Sequence, residues 1–171
     1  MAKLTHIDQL VDYNQLVVNR ILASQEVMAL IANNPDLNLD SDAAAEWEEH
    51  VFDHAWIDET VQEAGAFITV DVDIPSMSSG TIMEMRVYVE VLVSKTYMKL
   101  NPSIFKGCKG NRRDNIVRHI DLLLNGSLDF GIGRLDLKNI RTVTTANKFA
   151  GKLLTYEVSD FARDRSKLPH V

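Results

Sequence analysis

The chain has 171 residues, of which 46% are hydrophobic and 25% charged, a composition typical of one globular domain with its own core. Its single cysteine, Cys108, excludes an intrachain disulfide and favours a reducing, cytosolic compartment. No apolar run approaches the roughly 20 residues that cross a bilayer. We therefore expect a single domain over residues 1–171 that does not associate with membranes.

Charge is distributed unevenly along the chain. Residues 1–85 hold 16 acidic and 2 basic residues, a balance of −14, whereas residues 86–171 hold 8 acidic and 16 basic residues, a balance of +8. In one domain this division predicts a surface with two poles of opposite charge, which suits head-to-tail self-association or a charged partner. The alternative is a drift of charge without functional meaning.

The N-terminal region predicts a long amphipathic helix that bends near Ser24. Its apolar residues recur at helical spacing: Leu10, Tyr13, Val17, Ile21, Val27, Met28 and Ile31. Residues 36–63 follow with ten acidic side chains and no lysine or arginine. Too little of this segment is apolar to form core, so we expect an insertion or arm there, and a frayed tail at residues 163–171.

Alternating apolar residues between positions 66 and 95 predict a long antiparallel hairpin with one buried face. A helix is expected between its N-cap Asn111 and Gly126, followed by a strand around Leu135 and a last strand after Gly151. The order α-β-β-α-β-β predicts an α+β domain, with helices on one face of an antiparallel sheet of about four strands.

Two histidines, His50 and His54, are spaced as on one helix face, with Glu46, Glu49 and Asp53 nearby. That spacing is used by zinc sites, and it leaves a metal-dependent hydrolase as one alternative function. The catalytic version of the motif carries glutamate directly after the first histidine, whereas Val51 stands here. The preferred interpretation is a solvated acidic helix without a metal.

The segment 106–113 is basic, contains glycine and leads into a helix N-terminus, where a phosphate or a nucleic acid could bind. It lacks the phosphate-binding loop pattern and interleaved aromatic residues. A contact with the acidic segment of a neighbouring subunit is therefore preferred. The expected interface residues are Glu46, Glu48, Glu49, Lys106, Lys109, Arg112 and Arg113.

Cys108 lies beside Lys109, and a cationic neighbour lowers the pKa of a thiol. No histidine lies close to it in sequence to act as a base, so a catalytic cysteine is not expected. The residues predict no catalytic site and no cofactor.

Four segments together resemble small neck and tail-completion proteins of tailed bacteriophages. They are residues 19–31 (NRILASQEVMALI), 113–126 (RDNIVRHIDLLLNG), 130–135 (FGIGRL) and 149–158 (FAGKLLTYEV). With the hairpin between them, the likeness covers most of the chain except about residues 36–63. The arrangement looks most like a tail terminator.

The resemblance implies a structural virion protein without catalysis, assembled in the host cytoplasm. It implies a ring, typically of six subunits, that ends growth of the tail tube and joins the tail to the head. The implied partners are further copies of the chain, the tail tube protein, a head-side connector or stopper and, as a further candidate, a sheath protein; DNA passes through the lumen without sequence-specific binding. Another head-to-tail joining protein, a stopper or adaptor, is the alternative within this group.

Overall fold

The computed structural model describes residues 6–39, 49–55, 64–78, 82–128, 133–145 and 148–162. Its elements are α1 (His6–Leu22), α2 (Gln25–Ala32), β1 (Val51–Phe52), β2 (Ala66–Ser78), β3 (Ile82–Ser94), α3 (Arg112–Leu124), β4 (Leu135–Thr145) and β5 (Phe149–Ala162). The strands form one sheet in the order β1-β2-β3-β5-β4, in which β1 is parallel to β2 and every other pairing is antiparallel. The α+β class is confirmed.

The element order differs slightly from the predicted one. The described residues form three helices and five strands, because the N-terminal helix is divided and because β1 adds a strand to the expected four. The division falls at the expected bend: Ser24 is the N-cap of α2, and its Oγ accepts a hydrogen bond from the Val27 amide at 3.3 Å.

Helix α3 begins and ends where its sequence signals lie. Asn111 is the N-cap, and its side-chain oxygen accepts a hydrogen bond from the Asp114 amide at 2.9 Å. After the helix, Gly126 adopts a left-handed φ of 78°, which glycine reaches without steric cost. The Gly126 amide then donates to the carbonyl of Leu135, which ties the end of α3 to the start of β4.

Helices α1 and α3 pack on the same face of the sheet, and α2 packs against both of these helices. Most alternate apolar residues of the hairpin, among them Val70 and Val89, are buried in one core with helix residues such as Val17 and Ile120, and Ile74 is partly buried. On β5 the inward residue Tyr156 is fully buried, and its hydroxyl lies 3.4 Å from an Asp121 carboxylate oxygen on α3. Burial, followed by this carboxylate, raises the pKa of Tyr156.

The opposite side of the sheet, here called the helix-free face, has a small apolar cluster at one end. Phe67, Leu92 and Phe149 are buried there, with Phe52 packed against them. Gly151 makes this packing possible, since a Cβ at that position would lie 2.6 Å from Leu92 Cδ2 and 2.9 Å from the Val91 carbonyl oxygen. Elsewhere on this face, Arg86 donates to Glu157 on the adjacent strand at 2.9 Å.

The acidic segment 36–63 is only partly within the described residues, and the described part contributes to the core. Val51 is buried and belongs to β1, while Leu37 and Leu39 pack against the main core. The expectation that this segment contributes nothing to the core was wrong, because two residues suffice to add a strand to an existing edge. The expected frayed tail, residues 163–171, lies outside the described residues. Within the described chain, none of the helices is sufficiently long and apolar to span a bilayer.

Candidate functional site

The basic segment 106–113 lies between β3 and α3 and contains one arginine that differs from its neighbours. Arg112 is only 2% exposed, although the sequence places it in a run of apparently solvated charges. Its guanidinium donates to the carbonyl oxygens of Leu30 and Tyr97 and to the side-chain oxygen of Asn33. It also stacks on the Tyr97 ring, 4.1 Å from the ring centroid.

Arg112 therefore joins the end of α2 to the start of α3. The carbonyl of Leu30 lies in the last turn of α2, where the helix dipole favours a positive charge. Tyr97 reinforces the same junction, because its hydroxyl donates to the Ile31 carbonyl at 2.9 Å. Burial lowers the pKa of Arg112 and raises that of Tyr97. The expectation that Arg112 contributes to a subunit interface is corrected: its charge is satisfied inside the subunit.

The two lysines of the segment remain at the surface, whereas the Arg113 side chain is only 16% exposed. Lys106 and Lys109 are exposed, and Arg113 forms an ion pair with the adjacent Asp114, with an N–O distance of 2.8 Å. Gly107 and Gly110 have left-handed φ values of 84° and 82°, so the loop turns twice before the helix. The surface predicted from this segment is therefore carried by two lysines and a partly neutralised arginine.

The two histidines do not share a helix face. Glu49 and His50 form a short helical turn, but Val51 and Phe52 then enter the sheet, so His54 leaves in a different direction. His50 Nδ1 donates to the Ala66 carbonyl at 2.9 Å, and its ring stacks on Phe67 at 5.1 Å between centroids. His54 lies 2.8 Å from Asp53 at the surface.

The helical arrangement expected for a metal site is therefore absent from the described part of the chain. Among the described residues, no three histidine, cysteine, aspartate or glutamate side chains gather as ligands of one ion. Of the acidic interface candidates, Glu49 is exposed, whereas Glu46 and Glu48 lie outside the described residues.

A groove of about 650 Å³ separates α2 from the loop 103–108 and α3. It brings together charged and polar side chains that are distant in sequence: Glu26, Asp36, Lys106, Cys108 and His119. Burial lowers the pKa of His119, with Glu26 opposing and Arg118 adding to the shift. Sequence reasoning missed this groove, since its walls come from three separate segments and no local spacing marks them.

Strand β4 forms one outer edge of the sheet, and its surface is basic. Lys138 and Arg141 are exposed, and neither forms an ion pair or a side-chain hydrogen bond with another described residue. Between them Ile140 is 43% exposed. The sequence predicts a strand around Leu135, but it does not show that the strand lies at an edge, because pairing order is a property of the assembled sheet.

The chain matches one family of known proteins over most of its length. The family described as YomW matches residues 24–158. The chain belongs to the YomW family. No curated protein and no solved structure matches the chain significantly.

Membership in the YomW family points to a phage-related protein. The matched range begins at Ser24, the N-cap of α2, and ends within β5, so it includes Arg112, the groove and β4. It also includes the whole acidic segment 36–63, which is thus part of the YomW match.

Proposed function

We propose that this YomW-family protein is a tail terminator, a structural virion protein that forms a homo-oligomeric ring on the head-proximal end of a phage tail tube. The ring ends tube growth and provides the surface on which the head docks. The observation that carries the proposal is the YomW match over residues 24–158, which supports a phage-related role. The resemblance of α3, the following turn and β5 to tail-completion proteins supplies the finer assignment.

The shape of the charge distribution supports this role. A subunit with a negative and a positive half can join its copies through heterologous contacts, and such contacts close into a ring when the rotation between subunits is a simple fraction of a turn. The described surface carries charge of both signs. Asp71 and Asp73 are exposed on β2, and Lys138 and Arg141 are exposed on β4.

The partners of this ring are further copies of the chain, the tail tube protein and a head-side connector. The chemistry proposed is non-covalent assembly, and no residue is assigned a catalytic role. DNA passes through the lumen without sequence-specific contacts. The protein acts in the virion after assembly in the host cytoplasm.

The test is binding to tail tubes. Tubes assembled from the tail tube protein of the phage that encodes this chain are mixed with the purified protein and viewed by negative-stain electron microscopy. We expect density at one end of each tube and arrest of further elongation. Tubes that remain bare and continue to grow would remove the terminator assignment.

Light scattering adds the stoichiometry. A particle with six subunits supports the terminator, whereas a particle with twelve supports an adaptor on the head side. The matched control for tube binding is the same protein unfolded in urea and then mixed with the tubes. Any density that it leaves reports nonspecific adsorption to the grid and to the tube.

A further inference from the structure

The five-stranded sheet has open stretches at both of its edges within the described part of the chain. At one edge, β4 pairs only with β5. At the other, β1 pairs with β2 only at Ile68 and Thr69, and no described strand pairs with β2 beyond Thr69 on that side. Unpaired strand edges are templates for strand addition by another chain.

The two edges carry opposite charges. On β4, Lys138 and Arg141 are exposed and have no charged partner among the described residues. On β2, Asp71 and Asp73 are exposed, and no described lysine or arginine forms an ion pair with either carboxylate. Each edge therefore presents exposed charge that has no ion-pair partner among the described residues. Within the subunit, Asp71 Oδ1 accepts a hydrogen bond from the Val72 amide at 2.9 Å, and Asp73 lies opposite Arg86 in the ladder.

The strand registers place Arg141 of β4 and Asp71 of β2 on the same face of the sheet. Arg141 is opposite Leu153, which is opposite Glu90, which is opposite Thr69. Asp71 is two residues from Thr69 and so points to the same side. Both therefore lie on the helix-free face, and Ile140 lies on the helix-covered face together with Val72.

The directions of β2 and β4 also allow these two edges to pair between subunits. Three successive antiparallel pairings separate β2 from β4, so these two strands run in opposite directions within one subunit. A second subunit in the same orientation, placed edge to edge, therefore presents its β2 antiparallel to the first subunit's β4. The joined sheet continues the antiparallel pattern, which has the better hydrogen-bond geometry.

We propose that β4 of one subunit adds to the β2 edge of the next, in the register that places Arg141 opposite Asp71. Asn139 then lies opposite Asp73, and Ile140 lies opposite Val72 on the helix-covered face. The inference names the subunit contact of the ring and so rests on the proposed function. It assigns residues 138–141 and 71–74 as the two halves of one heterologous interface.

Two features of β2 limit this register. The pairing with β1 occupies the edge up to Thr69, and Pro75, which has no amide hydrogen, interrupts the ladder at the other end. The alternative of two β4 strands pairing about a two-fold axis brings Lys138 and Arg141 of both subunits together, which like-charge repulsion disfavours.

A charge exchange tests the contact. The variants Asp71→Lys and Arg141→Glu are each expected to weaken self-association about tenfold at low salt, since each replaces an attraction with a repulsion. The double variant carries the same two charges exchanged, and we expect it to associate within about twofold of the natural protein. The control is Lys99→Glu, an equal reversal at an exposed position outside both edges, which should change nothing.

The double variant gives the decisive comparison, because Asp71 and Arg141 belong to opposite edges of one subunit and cannot restore each other within it. Association is measured by light scattering over a concentration series. If the double variant associates no more tightly than the single variants, the proposed pairing is wrong.

Cross-linking tests the register directly. In a Cys108→Ser background, the variants Asn139→Cys and Asp73→Cys are mixed and oxidised mildly, and disulfide-linked dimers are measured on a nonreducing gel. We expect dimers in the mixture and few in either variant alone. A Lys109→Cys variant, also exposed, reports disulfides formed by random collision. Efficient dimerisation of Asn139→Cys alone would show a β4–β4 contact and overturn the inference.

The outcomes also separate this inference from the proposed function. A protein that remains monomeric at low salt and at the highest attainable concentration overturns the edge contact, whatever its binding to tail tubes. A protein that forms the mixed disulfide but leaves tube ends bare supports the edge contact and removes the terminator assignment. Oligomers that form without the mixed disulfide overturn the edge contact and leave the ring intact.

Discussion

The junction between α2 and α3 and the edge strand β4 are both basic in sequence, but the fold uses their charges in opposite ways. Arg112 is buried and donates to two carbonyls and an amide oxygen of its own subunit. Lys138 and Arg141 are exposed and have no charged partner among the described residues. A basic residue therefore stabilises the fold where backbone carbonyls and an amide oxygen accept its hydrogen bonds, and it is available for assembly where it lies exposed at a sheet edge.

The largest expected effect is at the junction. Arg112→Met should lower the free energy of unfolding by about 3 kcal/mol, because three acceptors lose a charged donor and one of them, the Leu30 carbonyl, is buried. Urea unfolding followed by circular dichroism measures the loss. Arg113→Met is the matched control: its ion pair is with the adjacent Asp114, whose carboxylate is exposed, so we expect a change of less than about 1 kcal/mol. Equal losses in the two variants would contradict the distinction between the two arginines.

A second effect at the junction concerns the start of α3. Asn111→Ala should cost about 1 kcal/mol, because the side-chain oxygen that accepts from the Asp114 amide is removed. Asn111→Ser retains a capping oxygen and should recover most of that loss. Thermal unfolding compares the three proteins, and identical midpoints for the alanine and serine variants would show that the cap contributes nothing.

The sequence predicts those features whose causes are local. Caps such as Ser24 and Asn111 lie within three residues of the amides they bind. The hairpin is predicted by the alternation of apolar and polar residues along one continuous segment. The burial of Arg112 could not be predicted, since the Leu30 and Asn33 oxygens that receive its hydrogen bonds are 82 and 79 residues away. Strand β1 was not predicted, because two residues are too few to show an alternation of apolar and polar side chains.

The same reasoning explains the errors at the candidate site. A spacing of four between His50 and His54 implies a shared face only if the intervening residues are helical, and Val51 instead pairs with Ile68 in the sheet. The groove that joins Cys108 to His119 has no local pattern at all. Edge and centre strands likewise differ in their partners and not in their own sequence, so the exposure of β4 follows only from the strand order.

A smaller effect is expected from His119 in the groove beside the junction. Burial holds its pKa below the ordinary value of about 6.5, so the unfolded chain binds a proton more readily than the folded one. Stability from this group is complete above the unfolded pKa and is lost as the pH falls below it. His119→Gln should therefore reduce the loss of stability between about pH 7 and about pH 5.

Urea midpoints at the two pH values measure this difference for the natural protein and the variant. His54→Gln is the control, because His54 is exposed. An equal reduction in both variants, or none in His119→Gln, would show that the groove does not shift the titration of His119.

The smallest effect on folding is expected at the β4 edge of the sheet. It tests most directly whether the basic residues of β4 differ from Arg112. The double variant Lys138→Ser/Arg141→Ser should unfold at the same urea concentration as the natural protein, because neither side chain has a charged partner among the described residues. Leu135→Ala on the same strand is the contrast: that side chain is fully buried, so its loss should cost about 3 kcal/mol. If the serine variant lost stability as well, the basic residues of β4 would serve the fold as Arg112 does. An unchanged midpoint together with weaker self-association would place their free-energy contribution between subunits.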